Sequence, residues 1–182
     1  MTDVAIRAGR DADADALIAL VGACWSEYPG CVLDVDGEVP ELRAIASHFA
    51  RREGRFWVAE RGREVVACVG CVPIVARADG GSALELLKLY VAKRARRSGL
   101  GTRLCELVAR EARLRGAARI ELWTDTRFAD AHRLYQRLGY VRLQETRELH
   151  DRSATVELHF EKRLAAAGER SRPLGGPTAT PV

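Results

Sequence analysis

The sequence predicts an α/β (α+β) fold built on one mixed, mostly antiparallel sheet with helices on both faces. Two observations carry this. Strand-like runs at residues 55–60 and 64–76 are joined by the tight connection Arg61-Gly62-Arg63, which makes an antiparallel hairpin. Further on, apolar runs at 83–91 and 119–124 flank an amphipathic helix, and a strand–helix–strand unit of that kind requires a parallel crossover. The 182 residues suffice for one domain and not two.

The elements follow in order. Residues 4–8 are a short first strand. Asp11 suits a helix cap, with Asp13 and Asp15 in the first turn. Leu17, Leu20, Val21 and Cys24 then share one face of that helix, which fades at Tyr28-Pro29-Gly30. Residues 31–38 are a loop. Pro40 suits a second helix start, and Leu42, Ile45 and Phe49 share a face up to Arg51. After the hairpin, Asp79-Gly80-Gly81 is a turn into the apolar strand 83–91, which carries Glu85 and Lys88. A helix is predicted over 101–115, with Leu100, Leu104, Leu107, Val108 and Leu114 on one stripe. Glu111 is discordant there, and Gly116 closes the helix. A strand at 119–124, a helix at 129–138 and strands at 140–143 and 154–160 complete the order β-α-α-β-β-β-α-β-α-β-β. Pro173, Gly175, Gly176, Pro177 and Pro181 mark residues 165–182 as a disordered tail, leaving 1–164 as the domain.

Composition narrows the function. Hydrophobic residues at 47% and charged residues at 30% are the balance of a soluble globular protein. A net charge of +4 fits a few basic residues around a polyanionic cofactor or weak nucleic-acid contact; the basic run from Lys93 to Arg97 belongs to an anion loop, so no nucleic-acid partner is expected. No apolar run nears the ~20 residues that span a bilayer. Met1-Thr2-Asp3-Val4 has no basic-then-apolar pattern, so no membrane association and a cytoplasmic location are expected. The five cysteines are irregularly spaced, unlike a disulfide framework. Cys68 and Cys71 sit three apart on a strand, hence on opposite faces, and cannot share a metal. No metal site is expected.

Chemistry concentrates after the apolar strand, at Arg96-Arg97-Ser98-Gly99-Leu100-Gly101-Thr102. A glycine turn opening a helix leaves backbone N–H groups unpaired at the positive end of the dipole, which is an anion site. A side chain at Gly101 is expected to stand between that backbone and a phosphate. A Walker A loop would need a Lys that is absent, and a dinucleotide loop would need glycine at position 104, where Leu104 stands.

The spacing Arg96-x-x-Gly99-x-Gly101 resembles the acetyl-CoA loop of the GNAT N-acetyltransferases. Upstream, Glu85-Leu86-Leu87-Lys88-Leu89-Tyr90-Val91 is similar to that family's fourth strand. Downstream, Ala131-His132-Arg133-Leu134-Tyr135-Gln136-Arg137-Leu138-Gly139-Tyr140 is similar to its A-x-x-[LF]-Y-x-x-x-G-[FY] segment. The likeness covers residues 4 to 162. It departs at Lys93, where many members have Pro, at Arg97, where many have Gly, and at Phe128, where Asn is frequent.

The resemblance implies a seven-stranded GNAT fold with strands 4 and 5 splayed apart, acetyl-CoA as cosubstrate, and direct transfer of acetyl to a small-molecule or protein amine. It implies pantetheine pairing along Leu89, Tyr90 and Val91, with the Val91 N–H polarising the thioester. Diphosphate binding falls to Arg96, Arg97, Ser98, Gly99, Leu100, Gly101 and Thr102. Tyr135 is the implied general acid. Glu85, a carboxylate in an apolar strand, is the candidate base or cation anchor, against a solvated strand end. His132 reads as a solvated helix residue. Trp25 and Tyr28 are expected either in a substrate lid or in core packing, and Asp34, Asp36 and Glu38 in a solvated acidic loop. Trp123, Thr124 and Asp125 fall at the cleft mouth. The alternative function is a catalytically weak CoA-binding regulatory domain, and a homodimer stays open.

Overall fold

In a computed structural model of the chain, residues 4–74 and 81–165 are described. Residues 166–182 of the predicted tail at 165–182, the strand end at 75–76 and most of the turn at 79–81 lie outside them. Seven strands form one sheet in the order β1-β2-β3-β4-β5-β7-β6. They are β1 (Val4–Ala8), β2 (Arg55–Arg61), β3 (Glu64–Ile74), β4 (Ala83–Val91), β5 (Arg119–Asp125), β6 (Val141–Glu148) and β7 (Val156–Arg163). Among the described residues β4 and β5 pair in parallel and the other neighbours antiparallel. The helices are α1 (Ala14–Trp25), α2 (Ile45–Arg51), α3 (Leu100–Leu114) and α4 (Ala129–Arg137).

The predicted order holds, and the ends differ for local reasons. The first helix opens as a 3₁₀ turn, Asp11–Asp13. Asp13, not Asp11, serves its start, accepting the Arg10 N–H at 2.8 Å. The Asp11 carboxylate accepts the Ser47 N–H at 2.9 Å and so ties the entry of α1 to α2. The last two strands lie further along the chain than 140–143 and 154–160, because β6 continues to Glu148 against β7.

The core runs on both sides of β3. Cys68 lies near Cys24 of α1, and Cys71 near Glu111 and Arg115 of α3. The two cysteines therefore face opposite helical layers, as strand alternation requires. Burial pushes both thiols up to about 12, which keeps them protonated. Phe49 packs on Phe56 with ring centroids 5.0 Å apart, above a Gly70 whose Cβ would collide with Phe49. Glu111 interrupts the apolar stripe of α3 because it pairs with Arg115 at 2.7 Å and Arg55 at 3.7 Å.

Candidate functional site

The site begins where the sheet opens. β4 and β5 pair only at Ala83–Arg119, Leu84–Ile120 and Glu85–Glu121. Beyond Glu85 they part, and the edge of β4 that faces β5 is uncovered. A bulge lies in this open stretch: β3 pairs Gly70 with Leu87 but Cys68 with Tyr90, so β4 carries an extra residue. Lys88 there takes φ 53°. The Cys68 thiol donates to the Lys88 carbonyl at 3.3 Å, tying the bulge to β3.

Register then fixes which way the peptide groups point. The Ala92 N–H donates to Val66 O at 2.8 Å, so 66 and 92 form a hydrogen-bonded pair. In an antiparallel ladder the adjacent pair, Ala67–Val91, is then non-hydrogen-bonded, and both polar groups of Val91 point away from β3 into the gap. The Val91 carbonyl there accepts Arg96 Nε at 3.0 Å and the Cys24 thiol at 3.6 Å.

The loop that follows is a short 3₁₀ turn (Lys93–Ala95), then Arg96 in extended conformation, then Arg97 at φ 63° and Gly99 at φ 79°. Left-handed backbone at Arg97 is the physical reason a glycine is at home in that position. Gly99 is the N-cap of α3 and no side chain caps the helix, so the amides of Leu100, Gly101 and Thr102 have no acceptor within it. Ser98 Oγ donates to Ala95 O at 2.8 Å and braces the turn.

Two expectations about this loop are corrected. The Arg96 guanidinium is not turned to an incoming anion. Nη1 and Nη2 bind both carboxylate oxygens of Glu27 at 2.9 and 2.6 Å, so the side chain clamps the end of α1 to the loop. A Cβ on Gly101 would meet Leu134 Cδ2 at 3.0 Å and Val91 Cγ2 at 3.9 Å. This glycine lets α4 approach α3, rather than clearing space for a phosphate.

The gap leads to a cavity of about 130 Å³ walled by Leu86, Lys88, Tyr90, Trp123, Glu157 and Tyr135, among others. Trp25 and Phe128 also line it, and Trp25 Nε1 donates to Tyr90 Oη at 3.1 Å. The end of α1 thus packs against this cavity. Tyr28 packs on Phe128 with tilted rings, centroids 4.7 Å apart. Tyr135 is 5% exposed, and burial pushes its phenol well above 10.

Trp123, Thr124 and Asp125 do stand at the cavity wall. Asp125 is neutralised by a two-pronged pair with Arg127, at 2.6 Å for the shorter contact. Trp123 stacks on the fully buried His159 at 4.3 Å, and Arg147 lies 4.5 Å over its ring. Glu85 lies one residue below the wall residue Leu86, half-buried and opposite Glu121. Burial raises its pKa, with nearby Arg147 and Arg52 opposing. It is not a solvated strand end. His132 is not solvated either, since Nε2 lies 2.9 Å from Asp125 O.

The comparisons with known proteins fit this geometry. The model of the acetyltransferase (GNAT) family matches residues 17–140. The chain belongs to the GNAT acetyltransferase family. N-acetyltransferase 8 of Homo sapiens is 32% identical over 125 residues, which are 69% of this chain and 53% of that protein. The probable N-acetyltransferase camello of Xenopus laevis is 40% identical over 131 residues, 69% of this chain and 57% of that one. The chain thus spans about half the length of the curated relatives it matches. A GNAT acetyltransferase from Staphylococcus aureus Mu50 superposes with TM-score 0.73 at 18% identity, over 88% of this chain and 99% of the other. The PaiA N-acetyltransferase of Thermoplasma acidophilum, solved with coenzyme A, superposes with TM-score 0.65 at 14% identity, over 89% and 99%. Among the described residues no helix is long and apolar enough to cross a membrane.

Within this GNAT frame the sequence missed Lys88, Cys31, Leu149, Asp151, Ser153, Thr155 and Glu157 as wall residues. Only Lys88 left a trace, as a charge in an apolar strand. Its Nζ pairs with Glu41 Oε1 at 2.7 Å, a partner that strand periodicity does not reveal. The acidic loop is solvated and braced by exposed contacts: Asp36 pairs with Arg43 at 2.8 Å, and Asp34 and Glu38 bind Arg152.

Proposed function

We propose that this GNAT protein transfers acetyl from acetyl-CoA to an amine by direct attack in a ternary complex. The observation that carries the reading is the uncovered edge of β4, where the Val91 peptide group points into a gap. That gap runs between the uncapped end of α3 and the cavity of Tyr135. The pantetheine arm pairs along Leu89, Tyr90 and Val91. The diphosphate rests on the amides from Arg97 and Ser98 through Gly99 and Leu100 to Gly101 and Thr102, at the positive end of α3. Arg96 holds that loop to α1.

In the transfer, the neutral amine nitrogen attacks the thioester carbon. The Val91 N–H takes up charge developing on the carbonyl oxygen. The C–S bond then breaks, the thiolate gains a proton and the amine sheds one. Tyr135 remains protonated at neutral pH and so presents a proton to the sulfur. Full transfer from such a phenol to a thiolate of pKa about 8.5 is uphill, so the hydrogen bond stabilises the leaving group before solvent completes protonation. Glu85 accepts the amine proton through a water.

The test is a panel of amines with acetyl-CoA, reading free thiol. Tyr135→Phe is expected to keep acetyl-CoA affinity and lose about 10²-fold or more in kcat. An unchanged kcat would remove Tyr135 from the chemistry. Thiol release from no amine at all would favour a CoA-binding regulator.

A further inference from the structure

On the face of the sheet away from α1 and α2, α3 packs over β3 and β4. Strand alternation puts Ile6 and Ala8 of β1 beside Trp57 and Arg61 of β2 on that same face. The opposite set holds Phe56, which packs on Phe49 of α2, whereas Arg55 of their own set pairs with Glu111 of α3. Among the described residues no helix covers this strip. A groove of about 500 Å³ separates it from α3, whose Arg103, Leu107 and Arg110 form the far wall. Leu107 shares the apolar stripe of its helix, yet Leu104 and Val108 are buried and Leu107 turns to the groove.

The charge of the groove is unbalanced. Arg103 and Arg110 stand exposed beside a single lining acid, Glu106, and among the described residues neither arginine has an ion-pair partner. Arg61, at the end of the strip, has none either. Arg7 also lines the groove, but its guanidinium is held by Asp13 and Glu60.

We propose that the groove docks an amphipathic helix of an acidic partner protein, laid beside α3 over β1 and β2. The dimensions match. The midline of β1 and β2 lies two strand spacings from that of β3 and β4, about 9.6 Å, and packed helices stand about 8–10 Å apart. The five residues of β1 run about 17 Å, the length of about 11 helical residues. An apolar stripe on the incoming helix covers Ile6, Ala8, Trp57 and Leu107, and the indole supplies an aromatic anchor. Carboxylates flanking the stripe meet Arg103 and Arg110, which lie about two turns apart on one side of α3. A second copy of this chain fits less well. Laid antiparallel across α3 with the dyad near Leu107, it would set Arg103 against Arg110. The proposal does not rest on the acetyltransferase reading.

The test is calorimetric titration of the full chain with three synthetic peptides of ~12 residues that share one apolar stripe. Two are held helical by a side-chain staple, since such short helices are marginal alone. One of these carries glutamates beside the stripe and the other lysines. The third is the glutamate sequence, unstapled and broken by central prolines. The stapled glutamate peptide is expected to bind the wild type at least about ten-fold tighter than either of the others. Arg103→Glu with Arg110→Glu changes exposed positions and is expected to invert the preference, so that the lysine peptide binds about ten-fold tighter. An unfolded variant would lose both peptides and could not invert. No binding of the glutamate peptide by the wild type overturns the proposal. So does equal binding of the glutamate and lysine peptides, undiminished binding of the proline peptide, or a preference unmoved in the variant. Sedimentation of the same samples supplies the last outcome: self-association of the wild type that the variant loses would assign the groove to a second copy and overturn the proposal as well.

Discussion

Glu85 occupies the last position at which β4 and β5 still pair, opposite Glu121. Burial raises its pKa above the ordinary 4.5, with Arg147 and Arg52 pulling it down and Glu157 and Glu121 adding to the rise. A carboxyl with a raised folded pKa costs stability once it ionises. The cost is absent below the unfolded value and complete above the folded one. Glu85→Gln is therefore expected to melt higher than the wild type at pH 8 and equally at pH 4. As a base, Glu85 works only when ionised, so the acid limb of the wild-type pH–rate profile lies above 4.5, and the variant lacks that limb and loses about 10²-fold in rate. A wild-type profile in the variant would exclude the base role. Sequence pointed to Glu85 because one acid stood in an apolar run. It gave Arg96 the wrong task because its partner Glu27 lies 69 residues away, and charge alone does not say which anion a guanidinium meets.

At the scale of elements, the turn into α3 was legible because glycines and a helix start have local causes. The bulge at Lys88 was not, since Glu85-Leu86-Leu87-Lys88-Leu89-Tyr90-Val91 holds no glycine or proline to mark it, and the extra residue shows only against β3. The contact of residues 32–38 with residues 152–153 was equally hidden, because its bonds join segments 114 to 121 residues apart. The turn itself separates backbone from side-chain effects. A Cβ at Gly99 would touch nothing within 4 Å, yet φ is 79°. Gly99→Ala thus costs backbone strain alone, about 1–2 kcal/mol, and lowers Tm by about 2–8 °C for a chain of this size. Arg97→Gly relieves similar strain at φ 63° but adds chain entropy of about 0.5–1 kcal/mol, so Tm should hold level or rise by up to about 6 °C. If the Arg97 side chain, and not only its amide, reaches the coenzyme, the KM for acetyl-CoA rises about two- to five-fold, the yield of one exposed ionic contact. An unmoved KM would assign that side chain to solvent.

For the whole molecule the consequence of the fold is a sheet with a seam. Its seven strands could be placed by pattern, but the parting of β4 from β5 after Glu85 leaves polar edge groups inside a sheet, where the ladder would ordinarily pair them. A ligand that pairs with that edge completes the sheet and stabilises only the folded state. With CoA at 100 times its Kd the gain is about 2.7 kcal/mol, or a Tm rise of about 5–11 °C for a chain of this size. Neighbouring amides show where it acts. The Ala92 N–H is already bonded to Val66 O at 2.8 Å, whereas the Val91 N–H faces the gap. Hydrogen exchange at Val91 is therefore expected to slow about ten-fold or more with CoA, while Ala92 slows less. Equal slowing of the two amides would mean that CoA tightens the whole domain without pairing with β4, and the pantetheine would then need another path through the gap.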